Sequence, residues 1–266
     1  MQLRVPSCCN KPFSNAIASG GHYHSACLLC AKERTERHDY VRDCILRMTK
    51  EAGMTPRLGA NGLVGSNSNS RPADVLIEPP ELDQGYRALD VVITYPCSES
   101  AMAKGAANWS LTAAKISDTS KLRAHKALIS SKRPGIFPYE KIPLSFESSG
   151  AFGDNMKILW AELKARHNKI QKEDYIRAGL PYTFTAFMIT FSQYWPQRIS
   201  FAMSKFIARM VMDGLFRAKG RIPLLYILVS ALVVSFVFRF SASVFCYSPS
   251  LDWFICSDTF RQTCQL

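Results

Sequence analysis

The stretch RPADVLIEPPELDQGYRALDVVITYP, residues 71–96, contains two short β-branched runs, DVLIE and ALDVVITY, bounded by Pro, Asp and Gly. Runs of this kind read as adjacent strands, and PELDQGY between them supplies a turn, so a hairpin is expected. Asp74 and Asp90 stand at the start of these runs. Ionised carboxylates are almost never fully buried unless they are paired or hold a metal, so the placement demands a partner. Strand alternation puts Asp90, Val92 and Thr94 on one face and Val91 and Ile93 on the other.

Helical periodicity surrounds the hairpin. In RHDYVRDCILRMTKEAG, Tyr40, Val41, Cys44, Ile45 and Met48 recur at helical spacing and Gly53 offers a stop, which predicts a helix over about 38–52. Residues 59–70, GANGLVGSNSNS, read as a flexible link. After Pro96, residues 98–131 are rich in Ala, Lys and Ser without Pro, and predict one long or broken helix. A third strand is expected over about 141–147, with Pro143 marking an edge or a strand start. Residues 154–170 and 190–218 are amphipathic. The order helix, strand, strand, helix, strand, helix implies an α/β or α+β fold.

The chain divides by composition into a Cys/His-rich leader at 1–36, a main domain at 37–218 and a tail at 219–266. With 266 residues, 47% of them hydrophobic, one well-filled core is expected. A net charge of +12, from 33 Lys and Arg against 21 Asp and Glu, suits a polyanionic partner, either nucleic acid or an acidic membrane surface. Nine scattered cysteines, an odd number, argue against a disulfide framework and for a reducing compartment. In the tail, IPLLYILVSALVVSFVF is uncharged and its apolar character resumes through Cys246, so residues 222–246 reach the lower limit for a membrane-spanning C-terminal hydrophobic helix. Arg217, Lys219 and Arg221 ahead of it would leave the preceding domain cytoplasmic. A buried C-terminal helix, or a tail read out of its ancestral frame, fits the same residues.

Two carboxylates on adjacent strand ends can converge on Mg²⁺, a hard cation that takes one or two protein carboxylates and keeps several waters. A lysine nearby can then orient a water against a phosphodiester while the cation offsets developing charge. Each aspartate equally suits a turn or strand-start position that bonds local backbone.

The ordered series CLLCAKERTERHDYVRD, RPADVLI, ALDVVITYP, SKLRAHKAL, FESSGAFG and QYWPQRISFAMSKFIARM resembles the restriction-enzyme-like endonuclease domain of non-LTR retrotransposons and related mobile-element proteins. That domain belongs to the PD-(D/E)xK nuclease superfamily, and the resemblance covers about residues 8–215. It implies a PD-(D/E)xK core with a small mixed sheet flanked by helices, Mg²⁺ or Mn²⁺ as cofactor, DNA as partner and the RNA of the element as a further candidate. The proline–aspartate motif falls on Pro72 and Asp74, with Ala73 inserted, and the second carboxylate on Asp90. The superfamily's lysine position is Val92 here. In the retroelement branch the lysine moves to the following helix, which matches Lys121, with His125 one turn on; Lys126 is the alternative. Glu147 matches a glutamate that recurs in the next strand.

The resemblance also implies DNA-phosphate contacts from His38 and Arg42 on the first helix. Arg123, Lys132 and Arg133 are further candidates for DNA binding. Cys27 and Cys30, a C-x-x-C pair, with His24 close by and Cys9 or Cys8 to complete the set, resemble the zinc knuckle that precedes the nuclease in relatives, where tetrahedral Zn²⁺ requires four S or N ligands. The expected function is metal-dependent nicking of target DNA, in nucleus or cytoplasm. A catalytically inactive nucleic-acid-binding remnant and a tail-anchored membrane protein with a basic cytoplasmic domain are the alternatives.

Overall fold

The computed structural model describes residues 30–59, 73–78, 86–130, 139–179 and 190–219. Two compact units emerge. One comprises Met1–Arg34, Cys97–Ser110 and Ser204–Leu266, the other Thr35–Pro96 and Leu111–Met203. The second unit carries a mixed four-stranded sheet flanked by helices.

Helix α1, Ala31–Glu51, begins seven residues before the expected start. Its end is set by Gly53, whose φ of +72° admits the left-handed cap. The Gly53 and Met54 N–H groups donate to the carbonyls of Lys50 and Thr49, which closes the last turn. Strand β1, Thr55–Leu58, follows at once and has no counterpart in the sequence reading, because its side chains are largely exposed and show no apolar alternation. Its pairing continues into Gly59, whose N–H donates to the Asp74 carbonyl at 2.7 Å. A Cβ at Gly59 would stand 1.8 Å from the Ala73 carbonyl oxygen, so only glycine lets the two backbones approach this closely.

Strands β2, Val75–Glu78, and β3, Tyr86–Thr94, pair antiparallel as the hairpin pattern implies, with Val75 opposite Leu89. A short helix α2, Glu99–Met102, and helix α3, Thr112–Ser130, give the broken form of the helix expected over 98–131; the break falls in the turns between them. Strand β4, Tyr139–Glu147, then pairs parallel to β3 with Asp90 opposite Pro143. The sheet order is β1-β2-β3-β4, so β4 is an edge. An edge is where a strand tolerates a proline, and the Pro143 carbonyl is covered by the Asn155 amide at 3.1 Å. Helices α4, Asp154–Arg177, and α5, Phe191–Lys219, complete the described chain.

The sheet's two faces differ in chemistry. On one, Val75, Ile77, Leu89, Val91, Leu144 and Phe146 pack against Val41, Ile45 and Met48 of α1, Met156, Leu159 and Leu163 of α4, and Trp195, Ile199 and Met203 of α5. The spacing of each helical set is three or four residues, the stripe an amphipathic helix buries. The other face carries Ala88, Asp90, Lys141, Ser145 and Glu147 and lies under α3. Asp90 is thus on the face opposite Val91, as strand alternation requires.

No helix among the described residues is long and apolar enough to cross a membrane. The hydrophobic stretch at 222–246 lies outside the described residues, as do Cys9, His24 and Cys27 of the expected zinc knuckle. Cys30, the fourth of that set, is buried, and its thiol donates to the Met210 carbonyl at 3.9 Å.

Phe146 is fully buried at the centre of the main core, edge-on to Phe152 with centroids 5.4 Å apart. Phe146→Ala is expected to lower unfolding stability by about 3–5 kcal/mol in a urea titration monitored by circular dichroism.

Candidate active site

Asp74 is the last residue before β2, next to the Val75–Leu89 pair, where β3 carries Asp90 one step on. Its backbone N–H donates to the Leu89 carbonyl at 2.8 Å. Its side chain continues the ladder, with Oδ2 accepting the Val91 N–H at 2.8 Å. The same oxygen lies 3.2 Å from His38 Nε2, which reaches across from α1 and is also 3.2 Å from the Val91 carbonyl. Burial works to raise the Asp74 carboxyl, but the His38 bond and charge, the Val91 N–H and the nearby Lys121 ammonium together hold it below the usual carboxylate range. The Asp74 bond in turn raises His38 above the ordinary imidazole value, against the opposing effect of burial.

Asp90 is 8% exposed, roofed by α3. Two ammonium groups meet it there. Lys121 Nζ, from α3, lies 3.3 Å from Oδ1 and 3.2 Å from Oδ2. Lys141 Nζ, from β4, lies 2.8 Å from Oδ2. The parallel register makes this possible: Lys141 pairs with Ala88, two residues before Asp90 and on the same face. One turn along α3 from Lys121, the His125 ring packs on Tyr139 at 5.1 Å between centroids. Burial, then the charge of Lys141, keeps this imidazole below its ordinary value, and its buried Nε2 has no hydrogen-bond partner.

Of the residues singled out in the sequence, Asp74, Asp90, Lys121 and His38 come together. Lys126 and Arg123 lie on exposed parts of α3. Arg42 is engaged by carboxylates of its own helix, Asp39 at 2.8 Å and Asp43 at 2.9 Å. Glu147 pairs with Thr94, four residues along the strands from Asp90 and Pro143, roughly 13 Å away. Burial raises its carboxyl above the usual range despite the Ala114 and Ala113 N–H groups at the start of α3, to which it is bonded. Its Oε1 is buried without a partner. Glu147 therefore serves the helix N-terminus, where a carboxylate is favourable. Lys132 and Arg133 lie outside the described residues.

Two groups escaped the sequence reading. Lys141 carried one signal, a lysine spaced two residues apart from Tyr139 and Pro143 and so on the side of Ser145 and Glu147. Asp118 of α3, which accepts a hydrogen bond from the buried Ser145 hydroxyl, carried none.

Among the described residues no group of three or more His, Cys, Asp or Glu side chains converges on one point. Mg²⁺ does not require three, since it commonly takes one or two carboxylates and completes its shell with water. Asp74 and Asp90, at neighbouring positions of two paired strands, are the two carboxylates that such a site would draw on. No family model matches the chain, and no curated protein matches it.

The His38–Asp74 pair predicts a pH dependence. His38 is raised, so its contribution is complete below about pH 6.5, its unfolded value, and is lost as pH rises through the folded value. Asp74 is lowered, so its contribution is present above its unfolded value and is lost only as pH falls through the folded one. His38→Gln should therefore cost about 1 kcal/mol at pH 5.5, the discounted worth of a partly exposed pair. Much of that cost should vanish at pH 9, as read from denaturant midpoints of both proteins.

Proposed function

We propose that the protein is a divalent-cation-dependent DNA endonuclease whose sheet-bearing unit is a PD-(D/E)xK-type core of the non-LTR retrotransposon kind. The observation that carries this reading is the juxtaposition of Asp74 and Asp90 on adjacent strands with Lys121 reaching Asp90 from the following helix. A net charge of +12 supports a polyanionic substrate.

Asp74 and Asp90 would hold the cation, Mg²⁺ or Mn²⁺, which when bound supplies a Lewis acid for the phosphodiester and for the water that attacks it. The protein's own groups prepare this. His38 and the Val91 N–H fix Asp74 Oδ2, so that carboxylate is oriented before substrate arrives. Lys121, with a side chain 42% exposed, is free to turn its ammonium toward the phosphate oxygens, where positive charge stabilises the pentacovalent transition state. The α3 roof keeps water from the inner side of Asp90 and strengthens each of these interactions.

A nucleic-acid-binding protein without turnover is the second reading, and the two lysines already seated on Asp90 favour it. Nicking of supercoiled plasmid by the full-length chain with Mg²⁺ or Mn²⁺ separates the two. Asp90→Ala is expected to lower the rate by about 10²–10³-fold, the usual cost of removing one preorganised electrostatic group. Equal nicking by the variant overturns the endonuclease reading; DNA binding without nicking by either protein selects the second.

A further inference from the structure

Lys141 is the group at this site that the retroelement pattern does not account for. It is nearer to Asp90 than Lys121 is, 2.8 Å against 3.2 Å at the same oxygen, and its side chain is 12% exposed against 42%. Asp90 is the one carboxylate within salt-bridge range of Lys141 among the described residues. A carboxylate offers about four lone-pair sites over its two oxygens. Lys141 and Lys121 together take both at Oδ2, and Lys121 also reaches Oδ1. A divalent cation approaching Asp90 must therefore displace at least one ammonium or suffer its repulsion at close range and low dielectric. The displaced ammonium needs a new anion. His125, beside Lys141, cannot provide one, because an imidazole is either neutral or cationic.

We infer that Lys141 and Lys121 form an internal counter-ion lock, occupying the cation position at Asp90 until a phosphodiester backbone draws the ammonium groups away, so that DNA and divalent cation bind cooperatively. The inference rests on the endonuclease reading and adds to it an order of events. It also gives Lys141 a positioning role that ends when substrate arrives. Because coupling is reciprocal, the cation must tighten DNA binding by the factor by which DNA tightens cation binding.

The test is Mn²⁺ binding by the full-length chain, followed by the paramagnetic resonance of free Mn²⁺, with and without a duplex whose phosphorothioate linkages resist cleavage. Asp90→Asn protein with the same duplex provides the background from Mn²⁺ held by DNA alone. Wild-type protein should bind Mn²⁺ about tenfold more tightly in the presence of the duplex. Lys141→Met should bind Mn²⁺ about tenfold more tightly without DNA and lose most of the coupling, whereas Lys141→Arg should restore wild-type behaviour. If Lys141→Met does not fold, Lys121→Met carries the same expectation at a more exposed position. Unchanged Mn²⁺ affinity in a folded Lys→Met variant, or no effect of DNA on wild type, overturns the lock while leaving the cation site standing. Mn²⁺ binding by Asp90→Asn equal to wild type removes the cation site itself, and the endonuclease reading with it.

Discussion

A carboxylate buried beneath a helix must find positive charge or lose its own, and Asp90 finds it in Lys121 and Lys141. Much of the unit's architecture follows from meeting that requirement. Lys121 reaches Asp90 only because α3 crosses from the end of β3 back over the sheet. Lys141 reaches it only because β4 then enters parallel to β3, which puts residues 139–147 beside 86–94 in step. An antiparallel return would align a different set of side chains with Asp90. The crossover helix and the parallel pair are thus tied to one buried charge.

The two faces of the sheet divide the work of stability and placement. Helices α1, α4 and α5 meet the sheet through aliphatic and aromatic side chains, and burial of that surface stabilises the fold at about 25 cal/mol per Å². Helix α3 meets it through a polar series spaced by helical turns. Ala114 stands at the Glu147 cap, Asp118 at Ser145, Lys121 at Asp90 and His125 at Tyr139. Each such pair contributes little net stability, yet breaking one leaves a buried polar group unsatisfied. A slip of α3 by one residue would break several at once. Polar contacts therefore fix where the helix sits, while the apolar face keeps the sheet folded.

Much of this was legible in the residues. The β-branched runs at 75–78 and 86–94, the helical stripe of Val41, Ile45 and Met48, and Gly53 as a stop all follow from local chemistry, and each element forms close to where that chemistry puts it. Strand β1 was not legible, because TPRL pairs through its backbone at an exposed edge and shows no side-chain pattern. A broken helix after Pro96 was among the expectations, but without a proline the residues did not fix where the break falls. At the site, the Asp74–Asp90 pairing was implied by the hairpin, and Lys121 by helical spacing together with a family resemblance. Lys141 depended on a parallel register across more than forty residues of chain, which no local pattern encodes. Glu147 shows the opposite limit: a glutamate that stands in the expected strand, whose carboxylate the fold turns toward the start of α3.

The groups around Asp74 and Asp90 come from five separate elements: His38 from α1, Asp74 from the start of β2, Asp90 from β3, Lys121 from α3 and Lys141 from β4. None of these segments holds two of the charged partners that meet at a single carboxylate. The constellation therefore exists only when the sheet and its crossover helix are both in place, and each ion pair in it reports on long-range structure. It also sets separate counter-ions on the two aspartates. Asp74 meets His38 of α1, and Asp90 meets lysines of α3 and β4, so each carboxylate has contact counter-ions of its own. Neither carboxylate lies within salt-bridge range of the other's counter-ions among the described residues, although the Lys121 charge also favours ionised Asp74. A ligand that takes the position of one lysine at Asp90 thus need not disturb the His38–Asp74 pair that holds the neighbouring strand end.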